Sequence, residues 1–192
     1  MSFTQTPYTP SMIKLLIALS LTLLGVINKA DDQRPLVNDL DSQLKNLSWR
    51  VVNDTVMGGR SQGNLNVAPN KLTFTGVTNT NGGGFASIRT VPQKLNLNDA
   101  SKIAIRLRGD GRTYTFRLSS NKTRISYWLN FQTKNNMWQE IELPFTSFWP
   151  NWRGRKLNAP PISSSDITAL GFMIYDGQNG PFRLEVDWIK AK

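Results

Sequence analysis

The chain of 192 residues contains no cysteine and no histidine. Without cysteine there is no disulfide, no thiol nucleophile and no thiolate metal site, and redox chemistry says nothing about compartment. Without histidine the usual general base near neutral pH and the commonest transition-metal ligand are missing, so proton transfer falls to carboxylates, Lys and Tyr. Acids are scarce too: 13 Asp and Glu stand against 23 Lys and Arg, a formal charge of +10. These shortages point away from an enzyme, and no cofactor is expected.

The positive surplus favours anionic surfaces in general. Its residues are spread along the chain and do not form a block, so a basic, soluble surface accounts for them and no nucleic-acid partner is expected. Calcium would need a dense set of carboxylate and carbonyl oxygens. Asp110 and Asp176 lie in Gly-containing turns without that acidic spacing, and Asp187 falls within a strand. Glu140 and Glu142 invite a glycosidase reading, since two carboxylates suffice for that chemistry. Two apart on one strand, they share a face and are better read as acids balancing nearby arginines.

What the chain does have begins with one long apolar run. A polar leader from Met1 to Ser11 precedes Lys14 and the stretch Leu15 to Ile27, broken only by Ser20, Thr22 and Gly25. One cation before about a dozen apolar residues is the pattern of an export signal, and it is short for a spanning helix. Starting at Met12 would make that signal more ordinary, and cleavage after Ala30 would place Asn28 where a small residue is preferred. A mitochondrial presequence is the rival, but no arginine precedes Arg34. The expectation is therefore a leader with signal peptide or N-terminal anchor over 1–30, a polar linker over 31–46 and one domain over 47–192. It places the protein in a bacterial envelope, periplasmic or inner-membrane anchored, touching the membrane through the N-terminal segment alone.

From Leu47 onward the pattern is β. Leu72 to Val77, Phe85 to Arg89 and Ile103 to Arg108 alternate apolar and polar residues as half-buried strands do. Asp110-Gly111 reads as a turn, after which Tyr114, Phe116 and Leu118 alternate as a hairpin partner would. Ile125 to Gln132, Met137 to Leu143, Ile167 to Tyr175 and Phe182 to Ile189 follow. The segment after Pro144, carrying Trp149, Trp152, Arg153 and Arg155, reads as a long loop. Nine or ten short strands, with single helical turns at most near Leu40 and Leu97, predict an all-β, antiparallel two-sheet sandwich.

The stretch Trp49-Arg50-Val51-Val52-Asn53-Asp54-Thr55-Val56-Met57-Gly58-Gly59-Arg60-Ser61 stands out. It runs from a strand into a Gly-Gly turn, with Asp54 and Ser61 placed either to satisfy buried backbone donors or to face a ligand. Further on come Gly83-Gly84-Phe85-Ala86-Ser87-Ile88-Arg89, Arg108-Gly109-Asp110-Gly111, Trp138-Gln139 with Leu143-Pro144-Phe145, Gly171-Phe172-Met173-Ile174, and Gly180-Pro181-Phe182 closing on Leu184 to Ile189. In this order the motifs resemble the complex I intermediate-associated protein 30 family, from about Leu47 to Ile189. The resemblance implies a galactose-binding-domain-like jelly roll. It also implies a non-catalytic assembly factor or chaperone for respiratory complex I, with a protein client that is a membrane-complex subunit.

Strand alternation suggests where binding residues collect. With the large apolar residues inward, Arg106 and Arg108, Arg117 and Ser119, and Trp128, Asn130 and Gln132 point out. If these strands are neighbours they form a polar platform with an aromatic plate, suited to a glycan, and a carbohydrate-binding module is the alternative function. The expected ligand- or partner-binding residues are Asp54, Ser61, Arg89, Arg117, Trp128 and Asn130.

Overall fold

A computed structural model describes residues 47–69, 71–95 and 97–192. The leader, the export segment, the linker and the turn near Leu40 lie outside the described residues. The described residues form twelve strands: β1 (Trp49–Asn53), β2 (Gln62–Ala68), β3 (Lys71–Thr78), β4 (Ala86–Thr90), β5 (Lys102–Arg108), β6 (Thr113–Ser119), β7 (Ser126–Gln132), β8 (Trp138–Pro144), β9 (Trp149–Trp152), β10 (Arg155–Lys156), β11 (Ala169–Ile174) and β12 (Gly180–Ala191). Short 3₁₀ turns occupy Asp54–Met57, Phe145–Ser147 and Ser164–Asp166.

The strands build two antiparallel sheets. One has seven strands in the order β1-β4-β11-β6-β7-β9-β10, and the other five in the order β2-β3-β12-β5-β8. Their inner faces meet in a single apolar core, as in a jelly-roll sandwich. Phe74, Ile105 and Leu107 from the smaller sheet and Ile88, Phe116 and Phe172 from the larger are all fully buried. The Phe116 and Phe172 rings meet edge to face at 5.0 Å, a geometry worth about 0.5–1.5 kcal/mol beyond area burial.

Two expectations need correcting. The Asp110-Gly111 turn does not close a hairpin: β5 pairs with β12 and β8, whereas β6 pairs with β11 and β7, so the chain changes sheet at that turn. Alternation reports which side of a strand is buried, and in a sandwich both sheets bury one side. Arg106 and Arg108 consequently face away from Arg117 and Trp128, on the other sheet, where they pair with Asp187 and Glu185.

The second correction concerns the segment after Pro144, which is not one loop. Trp149–Trp152 adds to β7, with Trp149 opposite Trp128 and Asn151 opposite Ser126, and turns back through Arg153 and Gly154 into β10. Both turn residues have positive φ, 50° and 82°, as a two-residue hairpin of the tight, twist-matched type requires.

In the large sheet, β6 and β7 bury one face more than the other. β11, between β4 and β6, is buried at all six positions. Leu170, Phe172 and Ile174 face the core; Ala169, Gly171 and Met173 face outward and are buried all the same. Something covers the outer face of the seven-stranded sheet there.

Candidate functional site

The cover is a pair of walls around a cleft of about 520 Å³. Its floor is the outer face of β4, β11, β6 and β7, supplying Arg89, Met173, Arg117, Ser119, Ser126 and Trp128. One wall carries Val56 and Met57 of the first 3₁₀ turn together with Gly83 and Phe85; the opposite wall carries Thr123 to Ile125 and Trp152 to Gly154. Tyr175 stands with its ring edge-on to both Phe85 and Trp128, at 6.4 Å from each.

The first wall is held by Asp54. Expected at a ligand, Asp54 and Ser61 are both 0 % exposed. The Asp54 carboxylate accepts hydrogen bonds from Ser61 N (2.8 Å), Ser61 Oγ (2.6 Å), Gly84 N (2.6 Å) and Phe85 N (3.2 Å). Burial works against its ionisation, but these bonds from Ser61, Gly84 and Phe85 outweigh it and hold the pKa below the usual aspartate value. The glycines of the motif make room: a Cβ at Gly59 would lie 2.2 Å from Asp54 Cγ, and one at Gly83 2.4 Å from Oδ2. The carboxylate thus ties two Gly-rich loops together and presents Val56, Met57 and Phe85 to the cleft.

Three predicted residues do meet. Arg89 lies opposite Gly171, and Gly171 opposite Arg117, in register across three adjacent strands. Arg117 in turn lies opposite Trp128, its guanidinium 5.2 Å from the centre of the indole ring. Trp128 is fixed by a 2.7 Å bond from Nε1 to Ser126 Oγ. Asn130 shares this face but sits beyond the cleft, where its Oδ1 accepts from Thr115 Oγ1 at 2.8 Å. As cleft residues, sequence reasoning missed Phe85 and Tyr175, which end periodic stretches but lie just outside β4 and β11, Arg124 in the loop before β7, and Trp152 and Arg153 at the β9–β10 turn.

The electrostatics are one-sided. Four arginines line the cleft (Arg89, Arg117, Arg124 and Arg153), and no carboxylate does among the described residues. Burial depresses the Arg117 guanidinium to about 9, with Arg89 adding to the effect. Arg89 is lowered as well, by burial first and then by Arg50. Arg89 Nε donates to Ser87 Oγ and Arg117 Nη2 to Ser126 Oγ, each at 3.2 Å, while Arg117 Nε is buried with no partner.

The other acids considered from sequence are engaged elsewhere. Asp176 receives two bonds from Arg112, Asp187 pairs with Arg106, and Asp110 accepts from Arg183 N and Tyr114 Oη. Glu142 pairs with Lys102 on the smaller sheet, far in topology from the cleft.

The sequence model of the complex I intermediate-associated protein 30 family matches residues 38–186. The chain belongs to this family. The mouse mitochondrial complex I intermediate-associated protein 30 is 27% identical over 166 residues, which is 73% of this chain and 51% of the mouse protein, so the chain spans about half that relative's length. An uncharacterized protein of Schizosaccharomyces pombe is 29% identical over 170 residues, covering 74% of this chain and 77% of its own. Among solved structures, a family 11 carbohydrate-binding module of Clostridium thermocellum superposes with a TM-score of 0.54 at 18% identity, covering 79% of this chain and 92% of the module. A second structure of that module, from the cellulase Lic26A-Cel5E, gives 0.51 at 15%, covering 73% and 87%. At such identity these neighbours establish the jelly-roll fold and nothing more. The family relatives overturn one expectation: those named complex I intermediate-associated protein 30 are mitochondrial proteins, so the placement in a bacterial envelope does not stand.

Proposed function

We propose that this domain is a non-catalytic binding protein that serves the assembly of respiratory complex I or a complex like it, a reading supported by relatives named complex I intermediate-associated protein 30. The observation that carries the non-catalytic part is the composition of the cleft. It offers four arginines, one tyrosine and hydroxyl groups, with no carboxylate among the described residues and no histidine in the chain, so nothing there suits a general base near pH 7. Recognition is well served, however. Val56 and Met57 on the rim are 70% and 65% exposed and Tyr175 is 49% exposed, an apolar border around a cationic floor that suits a protein client, for instance a membrane-complex subunit.

A second reading rests on Trp128, a half-buried aromatic on a sheet face of a fold shared with carbohydrate-binding modules. One such module is solved with a β-1,3-1,4-mixed-linked tetrasaccharide. Affinity capture of the tagged full-length protein from native membranes, read by mass spectrometry beside a glycan array, decides between the two. Enrichment of respiratory-complex subunits lost in Val56→Asp/Met57→Asp supports the client reading. Array binding lost in Trp128→Ala, without protein partners, would replace it by the glycan reading.

A further inference from the structure

We propose that the cleft binds a small organic anion, its carboxylate or phosphate held between Arg89 and Arg117 and its apolar or aromatic body lying against Phe85, Trp128 and Tyr175. This rests on the cleft being the domain's binding surface and names the chemistry that surface accepts.

Charge pairing elsewhere in the molecule makes the case. Glu185 is buried beneath Lys71, Arg108 and Arg183; Asp187 pairs with Arg106; Asp176 pairs with the mostly buried Arg112. Where this fold draws a carboxylate inward it compensates it, with cations for these three and with four hydrogen bonds for Asp54. The cleft departs from that habit, since Arg89 and Arg117 are partly buried neighbours and neither meets a carboxylate among the described residues. Like charges drawn together out of water disfavour the folded state unless something neutralises them.

The geometry leaves room for the neutralising group. Arg89 and Arg117 flank Gly171, so their Cα atoms stand two strand spacings apart, roughly 10 Å, which lets two long side chains converge on one oxyanion. Gly171 keeps the floor between them open; a Cβ there would lie 3.3 Å from Arg89 Cγ and 2.8 Å from the Ile88 carbonyl oxygen. Donors remain available too. A guanidinium carries five N–H groups, and each arginine spends one on a serine hydroxyl, with Arg117 Nε buried and unpaired.

Size and lining choose the class of ligand. About 520 Å³ falls within the usual range for small-molecule sites. Aromatic and aliphatic side chains fill the walls, which favours an anion with an apolar body over a bare inorganic ion. The two cations that hold the anion, Arg89 and Arg117, lie on the floor of the cleft and are partly buried, and this disfavours a nucleic-acid backbone or a flat lipid surface as the ligand at that point.

The test is calorimetric titration of the full-length protein with phenyl phosphate, and with neutral phenyl β-D-glucopyranoside as the comparator of equal ring. Phenyl phosphate should bind at least tenfold more tightly. Arg89→Met and Arg117→Met should each weaken it tenfold or more, and Lys94→Met, a charge change away from the cleft, should not. Arg117→Met should melt no lower than the parent, because it removes an uncompensated cation. Equal affinity for the two probes, no phenyl phosphate binding at millimolar concentration, or an Arg117→Met variant that loses binding and melting temperature together would each overturn the proposal. Client capture without anion binding would overturn it while leaving the assembly reading intact. Anion binding without any client supports it and removes the assembly reading.

Discussion

Replacing Asp54 by alanine removes the acceptor of four hydrogen bonds at once. Ser61 Oγ retains a second acceptor in the Asn79 carbonyl at 3.3 Å, so the lasting damage falls on the main-chain N–H groups of Ser61, Gly84 and Phe85. An unsatisfied buried donor costs about 1–3 kcal/mol, and bonds to a charged acceptor are the stronger kind. Water entering the space left by the carboxylate recovers part of this, which leaves an expected loss of about 3–5 kcal/mol at pH 7. For a domain of this size each kcal/mol lowers the melting temperature by about 2–4 °C, so the variant should melt roughly 6–20 °C below the parent. Urea titration should give a lower midpoint with an unchanged slope. The sign of the acid dependence follows from the lowered pKa: burial opposes ionisation, and the bonds from Ser61, Gly84 and Phe85 prevail. The carboxylate therefore stabilises the fold above the unfolded value near 3.9, and this contribution disappears as pH falls through the lower folded value. Asp54→Asn should differ most from the parent at neutral pH and converge with it below about pH 4. A loss under about 1 kcal/mol in Asp54→Ala would refute the view that this carboxylate holds the wall.

Further substitutions probe the same logic elsewhere. Gly59→Ala places a methyl group against the Asp54 carboxylate, and calorimetry should register a loss of about 1–3 kcal/mol. Glu185 is held to about 2, burial being outweighed by hydrogen bonds from Arg108, Arg183 and Lys71. Glu185→Gln should cost about 2–4 kcal/mol at pH 7, less than a wholly buried pair because Lys71 and Arg183 face solvent. Melting curves against pH should show that gap close as pH falls from the unfolded value, about 4.5, through about 2. Arg112 donates to Asp176, Thr78 Oγ1 and the carbonyls of Gln178, Gly180 and Pro181. Arg112→Lys cannot reproduce that fork and should cost about 2–3 kcal/mol, with faster amide exchange at Gln178.

Much of the fold was legible because each strand of a sandwich writes its buried face as an alternation. Leu72 and Phe74, Ile103, Ile105 and Leu107, and Tyr114, Phe116 and Leu118 were all readable as inward, and all are buried. Pairing was less legible, since alternation is blind to which sheet a strand joins; Arg106 and Arg108 were grouped with Arg117 for that reason and lie on the opposite face. β9 was hidden by Pro150 and by a turn of Arg153-Gly154, where positive φ falls on an arginine instead of the usual Asn or Asp. Arg117 and Trp128 could be named because they lie on strands whose outward positions are countable, and Arg89 because it closes the motif that follows the glycine run. The walls could not, because Val56 and Phe85 reach the cleft through segments whose path depends on Asp54, thirty residues from the Gly84 amide it holds, and Tyr175 lies just past the end of β11.

β10 ends the seven-stranded sheet beside the cleft with only two residues, Arg155 and Lys156, both exposed. A sheet edge of that length gives another molecule almost no free main-chain ladder to extend. Any approaching copy would also press two cations against its own, on a chain already carrying +10. Under the proposed assembly role such an ending is useful: the apolar rim can stay open at high local concentration while the neighbouring edge discourages fibre-like stacking. Replacing both residues by threonine should leave the fold intact and shorten the time that a concentrated solution stays clear.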